Sequence, residues 1–351
     1  MNRSIWAWAR LLGGVGILAV LLWRLGTGAF VDGLRVIDGP ALGAAFAIGV
    51  TTTVFSAWRW CLVARGLGLR LSLRGAIADY YKALFINAAL PGGVLGDVDR
   101  AVQHGRDAGD VGKSVRAVVL ERTAGQIVLV VVGLVVLVTV PSPVSAHLRE
   151  HGPAVAVTAA ALAGAGLLLV VAVGRLRTGA SRWARAARTA VAEIRAGLLA
   201  RGNWPGIMLA STVVLAGHLA TFLVAARAAG SDASLLRLTP LMLLALLSMA
   251  LPVNVGGWGP REGVTAWAFG AAGLSAAQGL TISVVYGVFA FVAALPGLLI
   301  IAARAVQRAR ARAAERTRVA ALPAAPLVEI IELAPARPAA RPVRELVGSG
   351  A

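Results

Sequence analysis

Apolar residues in this chain run in long blocks separated by short stretches rich in arginine. A helix needs about twenty predominantly apolar residues to cross a hydrocarbon core. Six segments meet or approach that length, at 6–26, 41–58, 121–140, 153–174, 205–226 and 280–303, and each is predicted to be a full transmembrane helix. Two further apolar segments, 79–96 and 239–276, are broken from within. The first break, AALPGGVLGDVDRA at Ala88–Ala101, packs a proline, three glycines, two aspartates and an arginine into fourteen residues. The second is ALPVNVGGWGPREG at Ala250–Gly263.

Composition agrees with this pattern. Of 351 residues 58% are hydrophobic and 14% charged, and mean hydropathy is +0.78. A soluble domain of this size has roughly a quarter charged residues, so the chain is read as an all-α polytopic membrane protein. One cysteine, Cys61, excludes an internal disulfide and any thiol metal cluster. The net charge of +18 lies in the gaps between apolar blocks rather than on one soluble face. That distribution suits anionic membrane lipids as partners and argues against nucleic acid. Arg3 and Arg10 before LLGGVGILAVLLW look like a signal peptide, but the aromatic flank and the later spans favour an uncleaved first helix.

Cytoplasmic loops carry the Lys/Arg excess. Arg59, Arg65, Arg70 and Arg74 follow the second span, seven arginines from Arg175 to Arg201 precede the fifth, and six from Arg304 to Arg318 follow the last. Loops 27–40, 141–152 and 227–238 carry few basic residues and several acids, and are placed outside. Both termini are then cytoplasmic, in a plasma membrane. Segment 79–116 has cytoplasm at both ends and segment 237–279 has the exterior, so each must enter and return. Two opposed re-entrant, broken helical hairpins are predicted, since irregular backbone at membrane depth needs protein or a polar cavity around it.

The two breaks also match each other. Aligned without gaps, Ala89–Arg100 and Ala250–Arg261 share Ala, Leu, Pro, Val, Gly and Arg, six of twelve positions, as A-L-P-x-x-V-x-G-x-x-x-R. Hairpins dipping from opposite faces would make an inverted repeat, whose broken elements meet near the midplane at a transport site, with halves at roughly 1–140 and 153–303. Proline ends a helix, glycine admits close backbone approach, and freed N–H groups attract an anion. Pro91, Gly92, Gly93 and Gly96 in the first break, with Pro252, Asn254, Gly256 and Gly257 in the second, are therefore candidate headgroup-holding positions.

PGGVLGDVDRA, ERTAGQ at the opening of a span, WRWCLVARGLGL and LPVNVGGWGPREG together resemble the transmembrane domain of lysylphosphatidylglycerol synthases and its stand-alone flippase-like relatives. The resemblance covers roughly residues 5–310, with the motifs in family order. It implies a multi-spanning lipid flippase or scramblase unit. The full-length synthases carry a soluble aminoacyl-transfer domain after the membrane part, where this chain has a short tail, so transferase activity is not implied.

Arg100 and Arg261 share the repeat position, and an arginine fork can grip a phosphate bidentately; snorkelling or positive-inside placement is the alternative. Asp97, Asp99 and Glu262 put both signs of charge at each break, either as structural ion pairs or as a seat for a cationic aminoacyl headgroup. Glu121 and Arg122, the E-R dipeptide of the resemblance, point about 100° apart and so address different elements. His218 lies mid-span, as a proton relay or as a neutral histidine bonded to another helix. Trp6, Trp8, Trp23, Trp58 and Trp60 read as an interfacial belt, whereas Trp258 lies inside the second break.

Segment 175–204 suits an amphipathic helix on the anionic cytoplasmic leaflet. Residues 318–351, rich in Ala, Pro and Arg, are expected to form a disordered cytoplasmic tail after a membrane domain at 1–317. No Walker motif occurs, so ATP is not a direct fuel, and no cofactor is expected. Two rivals to lipid movement stand: a membrane transferase acting on headgroups, disfavoured by scattered histidines and no metal-ligand cluster, and an accessory partnering a cell-envelope biosynthesis enzyme.

Overall fold

The computed structural model describes residues 23, 28–90, 93–142, 145–146, 150, 181–250 and 258–320. The predicted spans 6–26 and 153–174 lie wholly or almost wholly outside the described residues, as do Pro91, Gly92, Pro252, Asn254, Gly256, Gly257 and the tail beyond residue 320. The described elements are α1 (Gly28–Arg35), α2 (Gly39–Gly66), α3 (Leu73–Ala89), α4 (Leu95–Asp107), α5 (Val111–Thr139), α6 (Arg182–Gly197), α7 (Trp204–Ala228), α8 (Leu235–Ser248), α9 (Pro260–Ala271), α10 (Ala276–Ala294) and α11 (Pro296–Ala320). Among the described residues four stretches are long and apolar enough to span a membrane: α2, α5, α7 and Ala276–Thr317. The protein is an all-α, multi-pass membrane protein.

Local chemistry sets the helix starts. Asp38 caps α2 by accepting the Ala41 N–H at 2.7 Å, with Pro40 in the first turn. Ser72, Asp110, Ser181 and Ser275 do the same for α3, α5, α6 and α10. Each side-chain oxygen satisfies a backbone donor that has no partner within its helix.

Three boundaries differ from the pattern reading. The region read as outer loop 27–40 contains α1, which packs on α10 with Gly33 against Val284. Helix α2 runs eight residues past the predicted end of its span, so Arg59 and Arg65 are helical rather than in a loop, and Trp60 is fully buried rather than part of a belt. Helix α5 starts ten residues early, which moves Glu121 and Arg122 from its first turn to mid-helix. In α2 the helix continues past the apolar block because Arg59 finds Glu121 and Ser211 inside the protein.

Helices α2 and α7 lie antiparallel, with Thr52 against Gly217 and Leu62 against Gly206. The two broken segments form antiparallel hairpins. In α3–α4, Asn87 meets Asp97 and Lys82 meets Gln103; in α8–α9, Arg237 donates to the Ala272 carbonyl. None of these four helices reaches the roughly twenty residues a crossing requires. The first hairpin opens at the bundle end that holds the C-terminus of α2 and the start of α5, and the second at the opposite end, where Val140, Ser234 and Ala271 line one small pocket. Each hairpin has its own core: Ala57, Trp60, Ala76, Tyr80, Ala101 and Val118 for the first, and Phe222, Leu241, Met242, Phe269, Ile282 and Phe289 among others for the second. The arginine-bearing helix α6 is fixed to the body by Arg116–Glu193 at 2.7 Å. By internal packing the chain divides after Ala302, and the described part of the second unit is the arginine-rich end of α11.

One very tight backbone approach is in the first hairpin, where a Cβ on Gly96 would lie 2.1 Å from the Ala83 carbonyl oxygen. Gly96→Ala should therefore cost about 1–3 kcal/mol through forced separation of α3 and α4. Gly43→Ala, in open space on α2, should be neutral or stabilising by up to about 1 kcal/mol. Thermal unfolding of the two variants in one detergent checks the contrast.

Candidate functional site: two buried charge networks

Beneath the first hairpin, five helices contribute to one network. The carboxylate of Glu121 on α5 is fully buried. Its Oε1 accepts from Arg59 Nη2 at 2.6 Å, Arg59 Nε at 3.0 Å and Tyr80 Oη at 3.3 Å. Its Oε2 accepts from Arg100 Nη2 at 2.7 Å. Arg59 reaches across to Ser211 on α7 at 3.1 Å, and Gly125, one turn after Glu121, leaves room for its guanidinium, which a Cβ would approach to 2.9 Å. Asp97 Oδ1 accepts from Arg100 Nε at 2.9 Å and Arg122 Nη2 at 2.8 Å. Asn87 donates to the other oxygen of Asp97 at 3.2 Å and accepts the Gly96 N–H at 2.7 Å, tying the α3 end to the start of α4.

The Arg100 guanidinium lies between two rings, 4.6 Å from the Trp60 centroid and 4.5 Å from that of Tyr80. Ring faces stabilise a cation removed from water. Lys82 pairs with Asp99 at 2.6 Å on the same hairpin.

The second network is smaller. Glu262 Oε2 accepts the Gly259 N–H at 2.7 Å, closing the start of α9. Its Oε1 takes Arg261 Nε at 3.0 Å and the Ser283 hydroxyl at 3.2 Å. Arg261 lies 5.1 Å from the ring centroids of both Trp258 and Tyr286. Gly287 makes its space, since a Cβ there would sit 2.5 Å from Arg261 Nη2. The Tyr286 hydroxyl pairs with His218 Nδ1 at 3.0 Å, which makes His218 a residue bonded to a neighbouring helix.

Helix α7 serves both networks, Ser211 in one and His218 beside the other. Seven residues are almost two full turns, so the two share a face about 10 Å apart along the axis.

The structure thus brings Asp97, Arg100, Glu121 and Arg122 together, and separately Trp258, Arg261 and Glu262, while Gly93 and Gly96 form the described part of the first break. Arg100 and Arg261, to which sequence reasoning gave a phosphate, have their forks on carboxylates and are 0% and 2% exposed. Arg122 is the open one: its side chain is 41% exposed and faces a groove of about 640 Å³ between α4 and α5. Pattern reading missed Arg59, Tyr80, Asn87, Ser211, Ser283 and Tyr286 as members. A polar side chain within an apolar stretch was the signal for Asn87, Ser211 and Ser283; Arg59, at the end of an apolar block, and the tyrosines carried none.

Removing the Glu121 charge leaves Arg59 and Arg100 buried without their shared carboxylate. Breaking such a pair costs about 3–5 kcal/mol, so Glu121→Gln should lower the melting temperature far more than Asp110→Asn at an exposed cap. The double variant Arg59→Met/Glu121→Gln should recover part of that loss. Equal melting of Glu121→Gln and wild type would refute the network's structural role.

A comparison with protein families matches the chain to the family described as Lysylphosphatidylglycerol synthase TM region over residues 7–297. No curated protein and no solved structure matches it. With the quoted motifs supplying the charged members of both networks and the match spanning nearly the whole helical body, the chain belongs to the lysylphosphatidylglycerol synthase transmembrane-region family.

Proposed function

We propose that this protein moves lipids or lipid-linked molecules between membrane leaflets, as a flippase or scramblase without direct use of ATP. The observation that carries this reading is the pair of broken hairpins entering from opposite ends of the bundle, each over its own buried charge network, both networks touching one face of α7. Opposed broken helices around a polar centre are the architecture of alternating-access transporters, and ionisable groups inside a membrane mark transported-solute pathways. Family membership supports handling of lipid. The matching A-L-P-x-x-V-x-G-x-x-x-R segments are read as corresponding elements of an inverted repeat with halves at roughly 1–140 and 153–303, in a cell membrane with both termini cytoplasmic. A non-enzymatic role is part of the proposal, with anionic lipids as partners and a cell-envelope biosynthesis enzyme as supplier or consumer of the moved lipid.

Purified protein in liposomes carrying fluorescent phosphatidylglycerol, aminoacylated phosphatidylglycerol or an undecaprenyl-linked sugar should speed exchange of at least one probe between leaflets, leaving its chemistry intact. A new lipid product would establish the transferase reading, and no acceleration of any probe would overturn lipid movement. For orientation, cysteines at Arg70 and Val111 in a Cys61→Ser background should label from the cytoplasm, and ones at Gly230 and Ala277 from outside. The reverse pattern would invert the topology.

A further inference from the structure

We infer that the groove between α4 and α5 is an intramembrane station for an anionic phospholipid, with the lipid phosphate on Arg122 and an acyl chain along the valines around it. The inference rests on the lipid-moving reading and adds the place and charge class of the cargo.

Charge is the first reason. The first network joins three guanidiniums, Arg59, Arg100 and Arg122, to two carboxylates, Glu121 and Asp97, while Lys82 and Asp99 neutralise each other. Among the described members of this network guanidiniums outnumber carboxylates by one, and unbalanced charge in a low-dielectric setting is costly. Arg100 Nη1, fully buried, has no hydrogen-bond partner. A ligand of net charge −1 completes the balance, and Arg122 is the member that one can reach. Among the described residues its bonds all run through Nε and Nη2 to Asp97, so Nη1 remains available.

Depth is the second reason. Arg122 is the last charge on α5 before the uncharged run Thr123–Thr139, which at 1.5 Å per residue fills most of a hydrocarbon core about 30 Å thick, so its guanidinium stands where that run meets the charged part of the helix. From this half-exposed arginine the apolar wall of Ile127, Val130 and Val131 runs deeper along the groove. Intramembrane charges of this kind mark ligand pathways.

The groove supplies the rest of the lipid's chemistry. Val98, Val115, Val119, Val130 and Val131 line it, an apolar track for a chain. Gln126, one turn beyond Arg122 and exposed on the same wall, offers an amide to a headgroup. A free phosphate has no use for such a track, which selects a lipid as occupant.

The test is photolabelling of the full-length protein in phosphatidylcholine vesicles containing a minor fraction of phosphatidylglycerol with a diazirine on its acyl chain, followed by mapping of the labelled peptides. Label is expected between Val94 and Val131. Arg122→Gln should reduce it about tenfold, as loss of a charge-assisted hydrogen bond predicts, and Arg122→Lys should reduce it less. Val119→Trp fills the groove with every ion pair intact and should also abolish labelling, which separates occupancy from folding. Equal labelling of wild type and Arg122→Gln, equal labelling by a diazirine phosphatidylcholine probe, or a photoreactive residue at Val130 that crosslinks only to protein would each overturn the station. Wild-type labelling in protein that moves no lipid would support the station and overturn the transport reading instead; transport without labelling would do the reverse.

Discussion

A carboxylate in a hydrocarbon-like interior persists only if cations come to it, and Glu121 is where this requirement organises the molecule. Its two oxygens draw Arg59 from α2 and Arg100 from α4, and through them Ser211 on α7 and Asp97 at the hairpin start. Desolvating these ions separately would cost several kcal/mol each. Pairing makes the cost conditional on geometry, so each helix is held to one rotation and one depth by the same set of bonds. The apolar contacts between α2, α5 and α7 supply adhesion without much directional preference; the charges supply direction.

The broken hairpins follow from the same constraint. A continuous crossing helix would carry Asp97 and Arg100 through the bundle on one rigid rod. Stopping at Leu90 and restarting at Leu95 lets α4 fold back on α3, which places Arg100 between Trp60 and Tyr80 and presents Asp97 to two arginines at once. In the second hairpin Glu262 both holds Arg261 and closes the first turn of α9. Helix start and ion pair are there one object, so a change at Glu262 acts on backbone and charge together.

Much of this was legible in the sequence. Helix α7 falls within two residues of its predicted span, both breaks occur where Pro and Gly interrupt the apolar runs, and the E-R dipeptide, Arg100 and Arg261 are all in charged networks. What pattern could not convey is depth. Arg59 and Trp60 sit where an apolar block ends, and one-dimensional rules read an arginine there as a cytoplasmic loop and a tryptophan as interfacial. Helix α2 instead continues, because Glu121 and the Arg100 guanidinium receive them inside. The roles of Asn87, Ser211, Ser283 and Tyr286 depend on which helices touch, which no local window contains. For Arg122 the motif indicated importance, but only the fold separates the open guanidinium from the sealed ones.

The shared face of α7 has an evolutionary consequence. Ser211 and His218 are kept in line by a spacing of seven residues, and insertion or loss of one residue between them would swing one partner about 100° away from its network. Loops elsewhere can drift in length with little effect on packing. Across descendants of this chain, the stretch from Ser211 to His218 should tolerate exchange of its apolar side chains while refusing any change in their number.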